Sequence, residues 1–285
     1  MDLPLNRIQA IVTQALQEDI GTGDLTTMAV VPPHARAEAQ VVFREAGVLA
    51  GLPVLMSVFT TTDPSLEITL NADDGDQIVA GGVVASVVGA ARSILTAERV
   101  ALNLLQRMCG VAALTARYVA MLDGLPTKIL DTRKTTPGLR IFEKYAVQVA
   151  GGVNHRFGLY DAIMIKDNHL AVLATEGLDC GAAVRRAKAA VGPLVAVEVE
   201  VESAEQADIA AAAGADVILL DNMSLDELRK SVQVIAGRAT IEASGGITLE
   251  TLRSVAETGV DYISVGALTH SARAVDISLD MTIHH

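Results

Sequence analysis

The chain has 285 residues, 51% of them apolar, no tryptophan and a formal net charge of −12. That length supplies one large domain or two with ample buried core, and the acidic balance argues against general nucleic-acid binding, which needs a basic face to displace counterions. Charges interrupt each long apolar run, as Arg117 does in "VAALTARYVAML", so nothing reaches the roughly 20 apolar residues of a membrane span. "MDLPLNRIQA" lacks the apolar core of a secretory signal. Cys109 and Cys180 lie far apart with no CxxC or Cys/His spacing around either. A soluble chain with two buried thiols in a reducing cytoplasm is expected.

The first third reads as α+β. "PLNRIQAIVTQALQED" has helical spacing at Ile8, Ile11, Val12, Ala15 and Leu16. "ARAEAQVVFREAGVLAG" and "LEITLNADDGDQIVAGGVVASVVG" follow as strands with Asp-Asp-Gly and Gly-Gly turns. The spacing from Leu95 to Leu122 predicts a long helix, capped by Thr96 and kinked or divided at Gly110. "DGLP" at 123–126 then punctuates the chain.

Beyond Pro126 short apolar strands ("KILDT", "AIMIK", "VAVEVE", "DVILLDN", "TIEASGG", "YISVGA") alternate with helix-length segments, which predicts parallel βαβ units. Ser203 with Gln206 and Ser224 with Glu227 read as capping boxes. Polar residues recur where these strands end: Arg133, Lys166, Glu200, Asp221, Ser244-Gly245-Gly246 and Gly266. From Lys166 onward the spacings are 34, 21, 23 and 22 residues, about one βα unit each. Strand ends in parallel α/β folds converge on one rim, where active sites lie. Six strands are too few for an eightfold barrel of roughly 250 residues. A small or incomplete α/β barrel is the first expectation, an open doubly wound sheet the second. Asn154-His155-Arg156 precedes a strand, and a simple barrel would put it on the opposite rim.

Charge is distributed unevenly. Residues 128–167 hold seven Lys/Arg and four Asp/Glu, a net +3, leaving −15 on the rest. A basic island on an acidic chain points to capture of a small anion. The glycines of "ASGGI" and "SVGAL" expose backbone N–H groups suited to phosphate. Glu200 and Asp221 beside such a site fit Mg2+ with several waters retained, sugar hydroxyls, or support of positive charge on a sugar carbon. Glu198 and Glu202 share the alternation of Glu200 and compete for its role, or form a polar strand face. Lys166 reads as a Schiff-base lysine or an anion binder, and Arg133 with Arg156 favours the second, because guanidinium matches carboxylate and phosphate bidentately. His155 and His169 are acid–base candidates or structural.

Taken in order, "EDIGTGDLTT", "TAERVALN", "LDTRKTTPGLR", "KYAVQVAGGVNHRFGLYDAIMIKDNH", "EVEVES", "LLDN", "EASGGI" and "VGALTHS" resemble quinolinate phosphoribosyltransferase over nearly the whole chain. Ala150 replaces an expected third glycine and Met164 an expected leucine. The resemblance implies an N-terminal α/β sandwich (1–115, including the long helix), a small incomplete α/β barrel with parallel strands (116–270), and a C-terminal segment (271–285) returning to the first domain. It implies a pentosyltransferase joining quinolinate to phosphoribosyl pyrophosphate with Mg2+, releasing CO2 and pyrophosphate and giving nicotinate mononucleotide in NAD synthesis. A homodimer with shared sites is implied, with no nucleic-acid or membrane partner. Arg99 of one copy, with Thr132, Arg133, His155 and Arg156, would hold quinolinate. Lys134, Lys166, Glu200, Asp221, Ser244, Gly245, Gly246, Val265, Gly266, Ala267 and His270 would hold the phosphoribosyl group. Lys134, Lys166, Glu200 and Asp221 would be catalytic, and Glu200 and Asp221 would hold the metal, directly or through water. Arg140 is expected to be structural, and His284-His285 is assigned no role. A paralogue associated with molybdate transport, a Schiff-base aldolase and a non-catalytic phosphate-binding barrel are the alternatives.

Overall fold

The computed structural model describes residues 3–284; His285 and the side chain of His284 lie outside them. Two compact units emerge, one of residues 1–116, 135–151 and 267–285, the other of 117–134 and 152–266. Among the described residues no helix is long and apolar enough to cross a membrane.

In the first unit α1 (Leu5–Ile20) and α2 (Leu25–Val30) precede β1 (Arg36–Phe43), β2 (Gly47–Val48), α3 (Leu52–Thr62), β3 (Glu67–Leu70), β4 (Gln77–Ile78) and β5 (Val83–Ala90). Alternation makes β1 a strand: Ala37, Ala39, Val41 and Phe43 are fully buried while Arg36 and Gln40 face solvent. The helical equivalent is α1, with Ile8, Val12 and Leu16 buried one turn apart. Strand β12 (Ile277–His284) pairs antiparallel with β1, from Phe43 opposite Ile277 to Arg36 opposite His284. The sheet order is β12-β1-β5-β3. Asp24 caps α2, accepting from the Thr27 N–H at 2.9 Å and the Thr96 hydroxyl at 3.2 Å.

Helix α4 (Ala91–Met121) follows β5 directly and corrects two expectations. It begins at Ala91, so Thr96 lies inside it and does not cap it. Gly110 does not divide it, because the helix runs unbroken through that position. Space is what requires glycine there: a Cβ on residue 110 would lie 2.1 Å from the Arg273 carbonyl oxygen. Helices α5 (Arg140–Val149) and α11 (Ala267–His270) also belong to this unit.

The second unit holds β6 (Lys128–Leu130), β7 (Ile163–Ile165), α6 (Asp167–Ala174), α7 (Cys180–Ala190), β8 (Val197–Val201), α8 (Ala204–Ala212), β9 (Val217–Asp221), α9 (Leu225–Ile235), β10 (Thr240–Ser244), α10 (Leu249–Ala256) and β11 (Tyr262–Ser264). All six predicted strands are present. They pair in parallel in the order β6-β11-β10-β9-β8-β7, the incomplete barrel expected. In β8, Val197, Val199 and Val201 are buried while Glu198 and Glu200 point the other way, as period two requires. Ser203 and Ser224 accept from the N–H groups of Gln206 (3.2 Å) and Glu227 (3.3 Å), starting α8 and α9 as predicted. The Gln206 side chain, however, reaches back to the Glu202 N–H at 2.9 Å.

The 154–156 segment lands on the same rim as the other strand ends. Val153 bridges Leu130 in parallel; its N–H donates to Ile129 O at 2.8 Å and its carbonyl accepts from the Asp131 N–H at 3.1 Å. A single extended residue thus acts as a further strand beside β6, and residues 154–156 leave its carboxyl end. Counting only full strands hid that step.

Candidate active site

At the carboxyl ends of the strands lies a cavity of about 550 Å³, lined by residues of the second unit from each strand end. Thr132, Arg133 and Lys134 follow β6, and His155 and Arg156 follow Val153. Lys166 ends β7, Glu200 comes from β8, Asp221 and Asn222 end β9, and Ser244, Gly245 and Gly246 end β10. Eleven residues proposed from the sequence therefore meet in one cavity, because parallel strands deliver their ends to one edge.

The basic wall is held from beneath by Asp131, which is fully buried. Its carboxylate accepts from the His155 N–H at 2.8 Å and the Asn154 side-chain amide at 2.7 Å. Arg156 donates from Nη1 to the Ala162 carbonyl at 3.0 Å, while its Nε is buried with no hydrogen-bond partner. Burial first, then the Arg133 charge, lowers the Arg156 pKa against the opposing pull of Glu198 and Asp161; a guanidinium still stays charged. Lys134 is exposed, and its N–H donates to the Thr132 hydroxyl at 3.0 Å. Two like-charged side chains held together favour an anion between them.

His155 faces the floor. Its Nδ1 accepts from the Arg156 N–H at 2.7 Å, which places the ring proton of the neutral form on Nε2. That nitrogen lies 3.1 Å from Glu198 Oε2 and 3.6 Å from Glu242 Oε2. The three groups could ligate a metal, their ligand atoms lying within 4.8 Å of one another. Here the imidazole N–H occupies that role. Oε1 of each glutamate is buried without a hydrogen-bond partner. Burial, reinforced by the Glu198 charge, pushes the Glu242 carboxyl up to about 7, with His155, Ser264 and Lys166 opposing. Of the three competing β8 acids, Glu198 is buried on the floor, Glu200 lines the cavity and Glu202 is exposed.

Lys166 Nζ lies 2.9 Å from Glu200 Oε2, so this lysine already carries a carboxylate partner. The His169 Nδ1 accepts from the Lys166 N–H at 2.8 Å, which makes His169 a cap for α6. Asp221 accepts from the Asn222 side-chain amide at 2.6 Å. Gly245 and Gly246, which also line the cavity, have φ of +100° and +59° and carry no side chain over their backbone N–H groups. Val265 is buried and donates its N–H to Leu130 O at 3.0 Å; Gly266 follows it.

Three proposed residues belong to the first unit. Arg99 stands exposed on α4, its guanidinium 3.9 Å from Glu98. Ala267 begins α11, and His270, exposed at its end, has Nδ1 2.6 Å from the Ser271 hydroxyl. Sequence reasoning missed Asp131, Asn154, Asn222, Glu242 and Ser264. For Glu242 a signal existed: an acid between Ile241 and Ala243 in the middle of a five-residue buried strand.

Comparison with known proteins supplies independent findings. The family model for the C-terminal domain of quinolinate phosphoribosyl transferase matches residues 111–280, and that for its N-terminal domain matches 24–109. A probable nicotinate-nucleotide pyrophosphorylase [carboxylating] of Bacillus subtilis is 45% identical over 97% of this chain and 94% of its own. The Mycobacterium leprae nicotinate-nucleotide pyrophosphorylase [carboxylating] is 42% identical over 98% and 99%. The crystal structure of NadC from Streptococcus pyogenes superposes with a TM-score of 0.95, at 45% identity and full coverage of both chains.

Proposed function

The chain belongs to the quinolinate phosphoribosyltransferase family, the carboxylating nicotinate-nucleotide pyrophosphorylases of NAD biosynthesis, and from that premise we propose how its rim performs the transfer. The observation that carries the reading is the make-up of the cavity: four cations, Arg133, Lys134, Arg156 and Lys166, line it together with two carboxylates, Glu200 and Asp221, and the Ser244–Gly246 turn.

Arg133 and Arg156 bind the two carboxylates of quinolinate, with Thr132 at the loop and His155 fixing the inner edge. Arg99 from a second copy of the chain closes the grip, which makes the working unit a homodimer. The Ser244–Gly246 turn, with Val265 and Gly266, holds the 5′-phosphate. Lys134 and Lys166 meet the pyrophosphate, Lys166 exchanging Glu200 for a phosphate oxygen. Glu200, released from that pair, and Asp221 orient the ribose hydroxyls and stabilise positive charge on the anomeric carbon as the C–O bond to pyrophosphate breaks. The two carboxylates are hard oxygen donors partly open to the cavity and fit Mg2+ held directly or through water. Such an ion would neutralise the departing pyrophosphate. Once the ring nitrogen is ribosylated it is positive, and loss of the adjacent carboxylate as CO2 leaves the electron pair on the neighbouring ring carbon, stabilised by that charge, which takes up a proton from water to give nicotinate mononucleotide. That step needs no organic cofactor. A cytoplasmic location suits these soluble substrates.

Incubation with quinolinate, phosphoribosyl pyrophosphate and Mg2+ is expected to yield nicotinate mononucleotide, with nicotinic acid a poor substitute. No product from quinolinate would refute the reading. Chelation of Mg2+ is expected to abolish turnover. Arg99→Ala mixed with Arg133→Ala is expected to regain part of the lost activity; no rescue despite subunit exchange would refute the shared site.

A further inference from the structure

Asn222 has no role in the scheme above, yet its backbone N–H and its side-chain amide nitrogen are both engaged. Its φ is +53°, in the left-handed region that asparagine tolerates better than other residues bearing a Cβ. Its N–H donates to the Ser244 carbonyl at 3.0 Å. Its Nδ2 donates to Asp221 Oδ2 at 2.6 Å. Its Oδ1 stands 2.2 Å from where a Cβ on residue 245 would lie, with its Cγ at 2.5 Å and backbone nitrogen at 2.8 Å. Gly245 is thus glycine for two independent reasons, its φ and the amide packed against it. The β9–β10 ladder ends at Asp221 opposite Ser244, so Asn222 and Gly245 are the first residues beyond the sheet on each strand.

We propose that Asn222 is a positioning residue that joins Asp221 to the Ser244–Gly246 turn and fixes the spacing between them. The inference rests on the reading of this side of the rim as the phosphoribosyl site. Asp221 would otherwise be a short side chain at a strand end, free to rotate about χ1, and the two glycines would be free to relax. One amide held by both sets the carboxylate meant for the ribose and the N–H groups meant for the phosphate in one frame. Preorganisation of that kind strengthens binding by removing ordering costs. The competing account is a turn-stabilising asparagine, which would affect stability and both substrates alike.

Asn222→Gly keeps the left-handed backbone and removes the amide; Asn222→Asp keeps the shape and loses the donor facing Asp221. Ribose 5-phosphate binding by calorimetry serves as a probe that needs no turnover. Both variants are expected to weaken ribose 5-phosphate about ten-fold or more and to raise the KM for phosphoribosyl pyrophosphate in step. Quinolinate affinity should stay within about two-fold, and Tm within a few degrees. Unchanged ribose 5-phosphate affinity in Asn222→Gly would overturn the proposal, as would equal weakening of both ligands or a wild-type protein that does not bind ribose 5-phosphate. Binding that depends on Asn222 in a protein forming no nicotinate mononucleotide would leave this inference standing while the reaction assignment fell.

Discussion

The parallel sheet has a hollow at each end, and the larger one is not the candidate site. At the amino ends, about 700 Å³ is lined by residues including Lys128, Asp216, Arg238 and Asp261. Among the described residues, none of the buried side-chain polar atoms left without a partner belongs to its lining. Asp216 binds Lys188 and accepts from the Val197 N–H at 2.6 Å. Asp261 accepts from the Ile241 N–H at 2.8 Å, and Arg238 pairs with Asp208. At the carboxyl ends the hollow is smaller, but Arg156 Nε and one oxygen each of Glu198 and Glu242 are buried with no partner, and burial followed by the Arg133 charge lowers the Arg156 pKa. Native proteins rarely leave buried polar atoms unpaired. Unmet hydrogen-bonding demand, rather than volume, marks the end where a ligand is expected.

The contrast predicts that substitutions at the two ends fail differently. Arg133→Ala should lower kcat/KM for quinolinate by about 10²–10³, the loss of one bidentate charged contact at roughly 1.5–3 kcal/mol per hydrogen bond. Steady-state kinetics with little change in Tm would check it; a ten-fold loss or less would put Arg133 outside the grip. Glu242→Gln tests the unmet demand itself. With its folded pKa raised from 4.5 to about 7, Glu242 keeps a proton that the unfolded chain releases between those values. Its burial therefore costs nothing below about pH 4.5, an increasing amount up to about pH 7 and the full amount above. The glutamine variant should gain on the order of 5 °C over wild type at pH 8 and little at pH 5, read by calorimetry. An equal gain at both pH values would show that Glu242 titrates normally. Asp216→Ala, at the satisfied end, should cost about 1–2 kcal/mol of stability by orphaning the Val197 N–H. It should leave kcat and KM unchanged, and a kinetic defect in the folded variant would break the distinction between the two ends.

Much of this was legible in the chain because period and spacing are local. "VAVEVE" announces a strand by alternation, and the near-constant 21–23-residue interval from Glu200 to Gly266 announces repeated βα units. Helix α4 was legible in type but not in limits. Its start at Ala91 depends on β5 ending at Ala90, and the need for glycine at 110 comes from Arg273, which is distant in sequence. The same divide runs through the site. Glu198, Glu200 and Glu202 share one face by alternation, yet only packing sorts them into buried, lining and exposed. Asp131 was passed over because its partners, at 154 and 155, arrive through a single bridging residue that no periodicity can reveal.

The pairing of β12 with β1 has a consequence for synthesis. Phe43 and Ile277 are direct partners separated by more than two hundred residues. At roughly 5–20 residues per second, β1 emerges from the ribosome about ten to fifty seconds before the strand that covers it. Throughout that interval one edge of the first sheet is open to pairing with neighbouring chains. The first sheet is therefore not complete until β12 has been made, after every strand of the parallel sheet. Slow translation of the barrel lengthens its exposure, and a chaperone that shields bare strand edges should matter most in that window.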